Sequence, residues 1–244
     1  MRIRTLSLFS GGGGLDVGFA AAGFDIVCAT DVDPYSCKTL ELNQGKKRYY
    51  RKHPVLNVDI TRLTAADVLK AANLKRNEVD LVIGGPPCQA FSVFGRRRGL
   101  NDPRGNLVWE YARLIKEFKP RVFLFENVVG LRTIHNGELL KALEKFLSFR
   151  GGYHVTIHDY KMANYGVPQF RQRVFLVGKR NGSGLPPLAI THGHSGVLFP
   201  NIRPYKTVKE ALSNMPEPSA ESALANHIGR DHSCLLYTSP SPRD

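Results

Sequence analysis

Apolar residues along the chain fall into short continuous runs, separated by longer stretches where they recur every three or four positions. The runs at residues 3–9, 25–30, 55–60, 79–83, 121–125, 154–160 and 174–178 have the length and apolar character of buried strands. Between them, residues 15–22, 35–43, 107–118 and 137–149 carry helical spacing. In the third helix Leu107, Tyr111, Leu114, Ile115 and Phe118 share a face, and Trp109 reads as core beside them. Strand and helix in alternation predict an α/β domain with a largely parallel sheet.

The loops decide what such a sheet holds. Ser10-Gly11-Gly12-Gly13-Gly14 breaks the first strand from the first helix, a turn that lets a ligand approach backbone at a helix amino terminus. It is no P-loop, because no Gly-Lys-Ser/Thr follows, and the dinucleotide fingerprint is incomplete, because Asp16 stands at its third glycine. Glycine turns also occur with no ligand. Asp31 ends the second strand about 20 residues on, where an acid can accept from ribose hydroxyls. Asp31 or Asp33 can equally cap the next helix ahead of Pro34. With Asp59 at the end of the third run, successive strands finish in a glycine turn, an acid and an acid. A nucleoside-containing cofactor would use that pattern.

Composition narrows the partners. In 244 residues, 34 Lys and Arg face 21 Asp and Glu, a formal charge of +13 that suits a polyanion, nucleic acid before membrane surface. A generally basic soluble surface satisfies the charge as well. The basic stretch at residues 45–52 reads as an exposed loop. Cys28, Cys37, Cys88 and Cys234 show no CxxC pairing, which argues against a disulfide framework or a metal site and for a reducing compartment. With no signal peptide and no apolar run of spanning length, a cytosolic protein is expected.

Three further stretches carry chemistry. Gly84-Gly85-Pro86-Pro87-Cys88-Gln89-Ala90-Phe91-Ser92 follows the fourth strand and holds a thiol on a stiffened turn. It reads either as a catalytic loop or as a structural turn with an incidental cysteine. Beyond it, Arg96, Arg97, Arg98 and Arg104 crowd a glycine-flanked loop that can meet phosphates or simply be solvated. Glu126 follows four apolar strand residues, where partial desolvation favours the protonated acid; a structural ion pair is the less favoured reading. Arg171 and Arg173, two apart at the entry to the last strand, point to one face.

Taken in order, Phe9-Ser10-Gly11-Gly12-Gly13-Gly14, Asp31, Asp59-Ile60, the Pro-Pro-Cys-Gln stretch, Glu126-Asn127-Val128 and Gln169-Phe170-Arg171-Gln172-Arg173 resemble the catalytic domain of the bacterial cytosine-C5 DNA methyltransferases. The resemblance covers about residues 3–180 and fades toward 233. It implies a Rossmann-like α/β fold dependent on S-adenosylmethionine, with a mixed, mostly parallel seven-stranded sheet and helices on both faces. It implies that Cys88 attacks cytosine C6, that Glu126 protonates N3, and that Arg173 and Arg171 hold the base. Phe9, Ser10, Gly11, Gly13, Gly14, Leu15, Asp31, Val32, Asp59, Ile60, Pro87 and Leu107 would form the cofactor pocket. Gln89, Ser92, Arg96, Arg97, Arg98, Arg104 and Asn127 would face the DNA and its flipped nucleotide.

Double-stranded DNA is the implied partner, with no metal and no membrane. A cognate restriction endonuclease is the implied genetic partner, and a monomer in the bacterial cytoplasm is expected. A transfer-RNA cytosine, which one branch of the family modifies, is the alternative substrate. An inactive cofactor-binding fragment is the third reading. After Gly178 the chain passes Thr191-His192 and Thr207-Val208-Lys209-Glu210-Ala211-Leu212, which resembles the family's approach to a target-recognition domain. Three segments are therefore expected: a catalytic domain at 1–180, a connector at 181–233 toward a missing recognition domain, and a non-native tail at 234–244.

Overall fold

A computed structural model describes residues 2–87, 106–194 and 202–216. The chain runs β1 (Arg4–Leu8), α1 (Gly14–Ala21), β2 (Asp25–Asp31), α2 (Pro34–Asn43), β3 (Val55–Asn57), α3 (Ala65–Ala71), β4 (Leu81–Gly84) and α4 (Asn106–Phe118). It continues through β5 (Val122–Val128), α5 (Glu138–Lys145), β6 (His154–Lys161), β7 (Gln172–Lys179), β8 (His192–Gly193), β9 (Arg203–Pro204) and α6 (Val208–Leu212). Seven strands form one sheet in the order β3-β2-β1-β4-β5-β7-β6. The pairs among β3, β2, β1, β4 and β5 are parallel, and β7 is antiparallel to both β5 and β6.

Burial follows position in that order. β4 is buried at every residue and β1 at all but its first, as strands covered on both faces must be. One face carries Leu6, Leu8, Val82, Phe123, Phe125, Val174 and Leu176, packed beneath Val68 of α3, Leu114 and Phe118 of α4 and Leu143 of α5. The other carries Ile26, Leu81 and Ile83 against Phe19 and Ala20 of α1. Helices on both faces agree with the expected class. Tyr111 of α4 is fully buried, and its hydroxyl donates to the Leu124 carbonyl at 2.9 Å, locking α4 onto β5.

Two contacts leave no room for a methyl group. A Cβ on Gly84 would lie 2.7 Å from the Tyr111 ring and 2.8 Å from the Leu8 carbonyl oxygen. A Cβ on Gly178 would fall 2.0 Å from the Phe123 ring, which is itself fully buried. Overpacking of this kind costs about 3 kcal/mol. Gly178→Ala is accordingly expected to lower the urea unfolding midpoint by that much stability; an unchanged midpoint would show that the β5–β7 contact yields easily.

Several expectations are corrected. The third strand stops at Asn57 rather than residue 60, because β2 offers it partners only as far as Asp31. Residues 65–71 form a helix that the apolar pattern misses, since only Ala65 and Val68 are buried on it. β7, the last strand of this sheet in sequence, lies inside it, and β3 and β6 are its edges. In the basic stretch at 45–52, Tyr50 is buried at 2 % exposure and packs with Ile26 and Ile83. The helix expected at 137–149 is α5, which continues past Lys145 as a π-helical turn, Phe146–Arg150.

Candidate active site

Parallel strands that end together offer their loops to one ligand. Here the glycine turn after β1, Asp31 at the end of β2, Gly85-Pro86-Pro87 after β4, and Glu126 and Asn127 near the end of β5 share one edge of the sheet. Because β7 runs the other way, its beginning reaches the same edge, with Arg173 opposite Val128.

The half of the site on β1 and β2 is built around Asp31. Its carboxylate accepts from the Gly11 N–H at 2.7 Å and from the Asp33 N–H at 2.9 Å. A carboxylate has about four acceptor positions, so two remain for a ligand's hydroxyls. The capping alternative resolves to Asp33, which accepts from the Tyr35 and Ser36 N–H groups at 3.4 and 2.8 Å. These bonds, led by the Ser36 hydroxyl, hold the Asp33 carboxyl below the usual carboxylate range. Asn57 fixes the segment by donating to the Asp31 and Val32 carbonyls at 3.1 and 2.9 Å, a role the sequence did not suggest. Val32, 66 % exposed, is an apolar surface beside the acid.

The turn itself is strained. Phe9 adopts φ 53°, a left-handed conformation that a residue with a side chain holds only under constraint, and Gly11 shares it. No heavy atom lies within 4 Å of a Cβ built on Gly11 or Gly14, so backbone there stands open to a ligand at the start of α1. Gly13 is the opposite case, filled by Leu40 at 2.7 Å. Leu15 packs in the core rather than at the opening.

Ser10 is only 8 % exposed, and its hydroxyl accepts from the Thr30 N–H at 3.2 Å and donates to Ser7 Oγ at 2.8 Å. Ser7 in turn donates to Asp16, which is completely buried. Burial pushes the Asp16 carboxyl up to about 6. Its Oδ2 atom, Thr30 Oγ1 and Tyr50 Oη are buried without hydrogen-bond partners among the described residues.

Asp59 sits in the turn after β3, exposed, with Oδ1 accepting from the Thr61 N–H at 2.9 Å and hydroxyl at 2.8 Å. Those bonds, the backbone one first, hold its carboxyl below the usual carboxylate range. Arg113 of α4 anchors this turn by donating to the Ile60 and Leu63 carbonyls at 3.2 and 2.8 Å. Ile60 is 6 % exposed, which leaves little of it for a ring to pack on. Leu107 opens α4, half-buried against the core.

On the other half, Arg173 Nε donates to Glu126 Oε1 at 2.8 Å. The ion pair read as less favoured from sequence is therefore present, between two half-buried side chains. Glu126 Oε2 lies where a Cβ on Gly85 would come within 3.0 Å, so the carboxylate rests against the start of the Pro-Pro loop. Asn127 is 3 % exposed, and its amide donates to the Pro86 carbonyl at 2.9 Å. It holds the loop. Arg171 precedes β7 and is exposed, so only Arg173 reaches the acid. Pro87 is exposed, and Cys88 follows it directly in the chain. Cys88, Gln89, Ser92, Arg96, Arg97, Arg98 and Arg104 lie outside the described residues.

Among the described residues no group of three or more His, Cys, Asp or Glu could hold a metal, and no helix is long and apolar enough to cross a membrane. Cys28 and Cys37 are buried and unpaired with each other.

The sheet order, the open glycine turn with its acid, and the acid–arginine pair beside a Pro-Pro loop define a methyltransferase-type α/β domain. The chain belongs to the C-5 cytosine-specific DNA methylase family, whose profile matches residues 3–235. It is 41% identical over 243 residues to the type II methyltransferase M.AquIA of Picosynechococcus, covering 94% of this chain and 96% of that one. M.XorII of Xanthomonas oryzae is 36% identical over 239 residues, covering 97% of this chain and 51% of its own. The chain thus spans nearly all of one curated relative and about half of another. Among solved structures, a DNA modification methyltransferase encoded within an E. coli prophage superposes with TM-score 0.67 at 29% identity, covering 88% of this chain and 56% of that one. The Dnmt2 methyltransferase of S. pombe does so with TM-score 0.54 at 29% identity, covering 75% and 53%.

Proposed function

We propose that this chain transfers a methyl group from S-adenosylmethionine to C5 of a cytosine in DNA, through a covalent bond between Cys88 and C6. The observation that carries this reading is the single sheet edge shared by the Gly11–Asp31 contact and the Glu126–Arg173 pair, on either side of the Pro86-Pro87 loop. The donor set fits the cofactor: open backbone at Gly11 and Gly14 for its methionine end, Asp31 for ribose hydroxyls, Val32 for an apolar ring face. When bound, the sulfonium supplies an electrophilic methyl group.

The chain's own residues do the rest. C5 of cytosine is a poor nucleophile, and addition of the Cys88 thiolate to C6 shifts an electron pair toward C5. Glu126 delivers a proton to N3 as that adduct forms. Arg173 holds one carboxylate oxygen of Glu126 and contacts the cytosine carbonyl, while Arg171 positions the nucleotide. Once C5 carries the methyl group it loses its proton to solvent base, the C5–C6 double bond returns, the sulfur leaves as thiolate, and N3 gives its proton back to Glu126. The target base must be out of the helix throughout.

The finer readings stand with this one: a division at 1–180, 181–233 and 234–244, a restriction endonuclease as genetic partner, a monomer, and a place near the bacterial nucleoid. Tritiated-methyl transfer to duplex DNA and to transfer RNA, followed by digestion to nucleosides, tests the substrate. Label in 5-methyldeoxycytidine is expected. Label in tRNA alone would move the chain to the RNA branch, and cofactor binding without any label would make it a binding fragment.

Asn127→Ala tests the loop. It leaves the Pro86 carbonyl without its buried donor, a loss of about 1–3 kcal/mol. Turnover is expected to fall by roughly 5- to 140-fold, by the usual 1.4 kcal/mol per factor of ten, with cofactor affinity unchanged; equal losses in both would point to general unfolding instead.

A further inference from the structure

One element of the Gln169–Arg173 segment has no part in the chemistry above. Phe170 is 72 % exposed, three residues before Arg173 and therefore at most about 10 Å from it along the chain. The ring is not alone. The Lys161 ammonium stands 4.4 Å from its centroid, and the Tyr205 ring meets it edge-on at 5.8 Å. The same ammonium lies 5.6 Å from the Tyr205 centroid, and His194 packs edge-on to Tyr205 at 5.1 Å. Tyr205 is fixed by its hydroxyl, which donates to Asn164 Oδ1 at 3.0 Å.

Position and charge point the same way. Lys161 ends β6 opposite Gln172, at the sheet edge where Arg173 meets Glu126. Arg171 and Arg203 are exposed beside the cluster. The nearby carboxylates are engaged elsewhere: Asp159 pairs with Arg132 at 2.7 Å, and Glu210 accepts from the Thr207 N–H at 2.6 Å. Cationic groups interleaved with an exposed ring make a surface for bases and phosphates together.

We infer that Phe170, Tyr205 and Lys161 form a stacking platform for a nucleotide of the DNA strand beside the target cytosine, with Arg171 and Arg203 meeting its phosphates. The inference rests on the DNA-methyltransferase reading and names how that site grips the strand. Phe170 supplies the ring face, Tyr205 and Lys161 hold it upright, and the cations draw in the backbone. Stacking of this kind is tolerant of sequence, so the platform adds affinity and not site choice.

The test uses the 244-residue chain with Phe170→Ala, Phe170→Leu, Phe170→Trp and Lys161→Gln. Affinity for a fluorescent cytosine-containing duplex is read by anisotropy across a salt series, and affinity for S-adenosylhomocysteine by calorimetry. Phe170→Ala and Phe170→Leu are expected to weaken duplex binding roughly tenfold or more, and Phe170→Trp to retain it. Lys161→Gln removes a support of the ring and no phosphate contact, so it should weaken duplex binding with little change in the slope of log K against log salt. Cofactor-product affinity should hold in all four. If Phe170→Leu binds duplex like the unsubstituted chain, the ring face is not used and the platform is wrong. If Phe170→Ala loses S-adenosylhomocysteine as well, the cluster is packing and the platform is equally wrong. Should the unsubstituted chain transfer methyl to DNA while every variant binds normally, only this inference falls. Should it neither bind nor label any nucleic acid, the functional reading falls with it.

Discussion

Cys88→Ser is expected to abolish methyl transfer while leaving S-adenosylmethionine binding intact. A cysteine thiol ionises near pH 8.5 and is an intrinsically strong nucleophile, whereas a serine hydroxyl in the same place would need a base to remove its proton. Glu126 is held by Arg173 and assigned to proton donation at N3. The proposed cofactor contacts sit on other strands: Gly11 and Asp31 belong to the ends of β1 and β2, joined by their own hydrogen bond. Two readouts should therefore separate. Tritium transfer should drop at least about 1000-fold, the scale on which removing a covalent nucleophile acts, and cofactor affinity measured by calorimetry should stay put. Substantial residual transfer by Cys88→Ser would mean that another group attacks C6.

The second large effect concerns stability. Asp16 replaces a glycine in the dinucleotide pattern and is buried under the first loop, facing the Ser7 hydroxyl, Tyr50 and Cys28. Desolvation lifts its carboxyl from 3.8 to about 6. The folded chain therefore holds this proton more tightly than the unfolded one. Below about pH 4 both states are protonated and the site is neutral in effect. Between pH 4 and 6 the unfolded state ionises first and stability is lost; above pH 6 the full penalty stands. Two pKa units and a fraction correspond to about 3 kcal/mol. Asp16→Asn keeps an acceptor for Ser7, carries no charge, and offers its amide to the orphaned Tyr50 hydroxyl. Urea unfolding of both proteins at pH 5 and pH 8 should show the variant gaining on the parent as pH rises. A variant that instead loses ground at pH 8 would contradict the assignment. Burial also pushes the Cys28 thiol up to about 12, so that cysteine stays protonated beneath the same loop.

Sequence periodicity captured the central strands well because β4 is a continuous apolar run and β1, buried beyond its first residue, sets Leu6 and Leu8 either side of the small Ser7. It failed where burial is thin. α3 hides only Ala65 and Val68, although Thr64 and Asp67 announce its start with reciprocal caps at the amino end. The two-residue strands β8 and β9 carry no pattern at all. In the site, residue types told which strand ends matter but not which way each polar group turns. Asp31 is legible because its spacing from the glycine turn is fixed by one strand–helix–strand unit. Ser10 and Asn127 are not, since a hydroxyl or amide next to a functional acid can equally face ligand or backbone. Both turned inward. The Glu126–Arg173 pair joins positions 47 apart, and only strand pairing brings them together.

That pairing has a further consequence. Arg173 owes its place to the rung it occupies on β7, opposite Val128 and Tyr160 at once. Side chains alternate faces along a strand, so losing or gaining one residue between Arg171 and Val174 would exchange Arg173 with Gln172 across the sheet. The turn from Met162 to Arg171, by contrast, can change length without disturbing which face the arginine takes. Sheet arithmetic thus divides this segment into a part constrained by its side-chain contacts, such as Phe170 with Lys161, and a short part where the count of residues is itself a functional property.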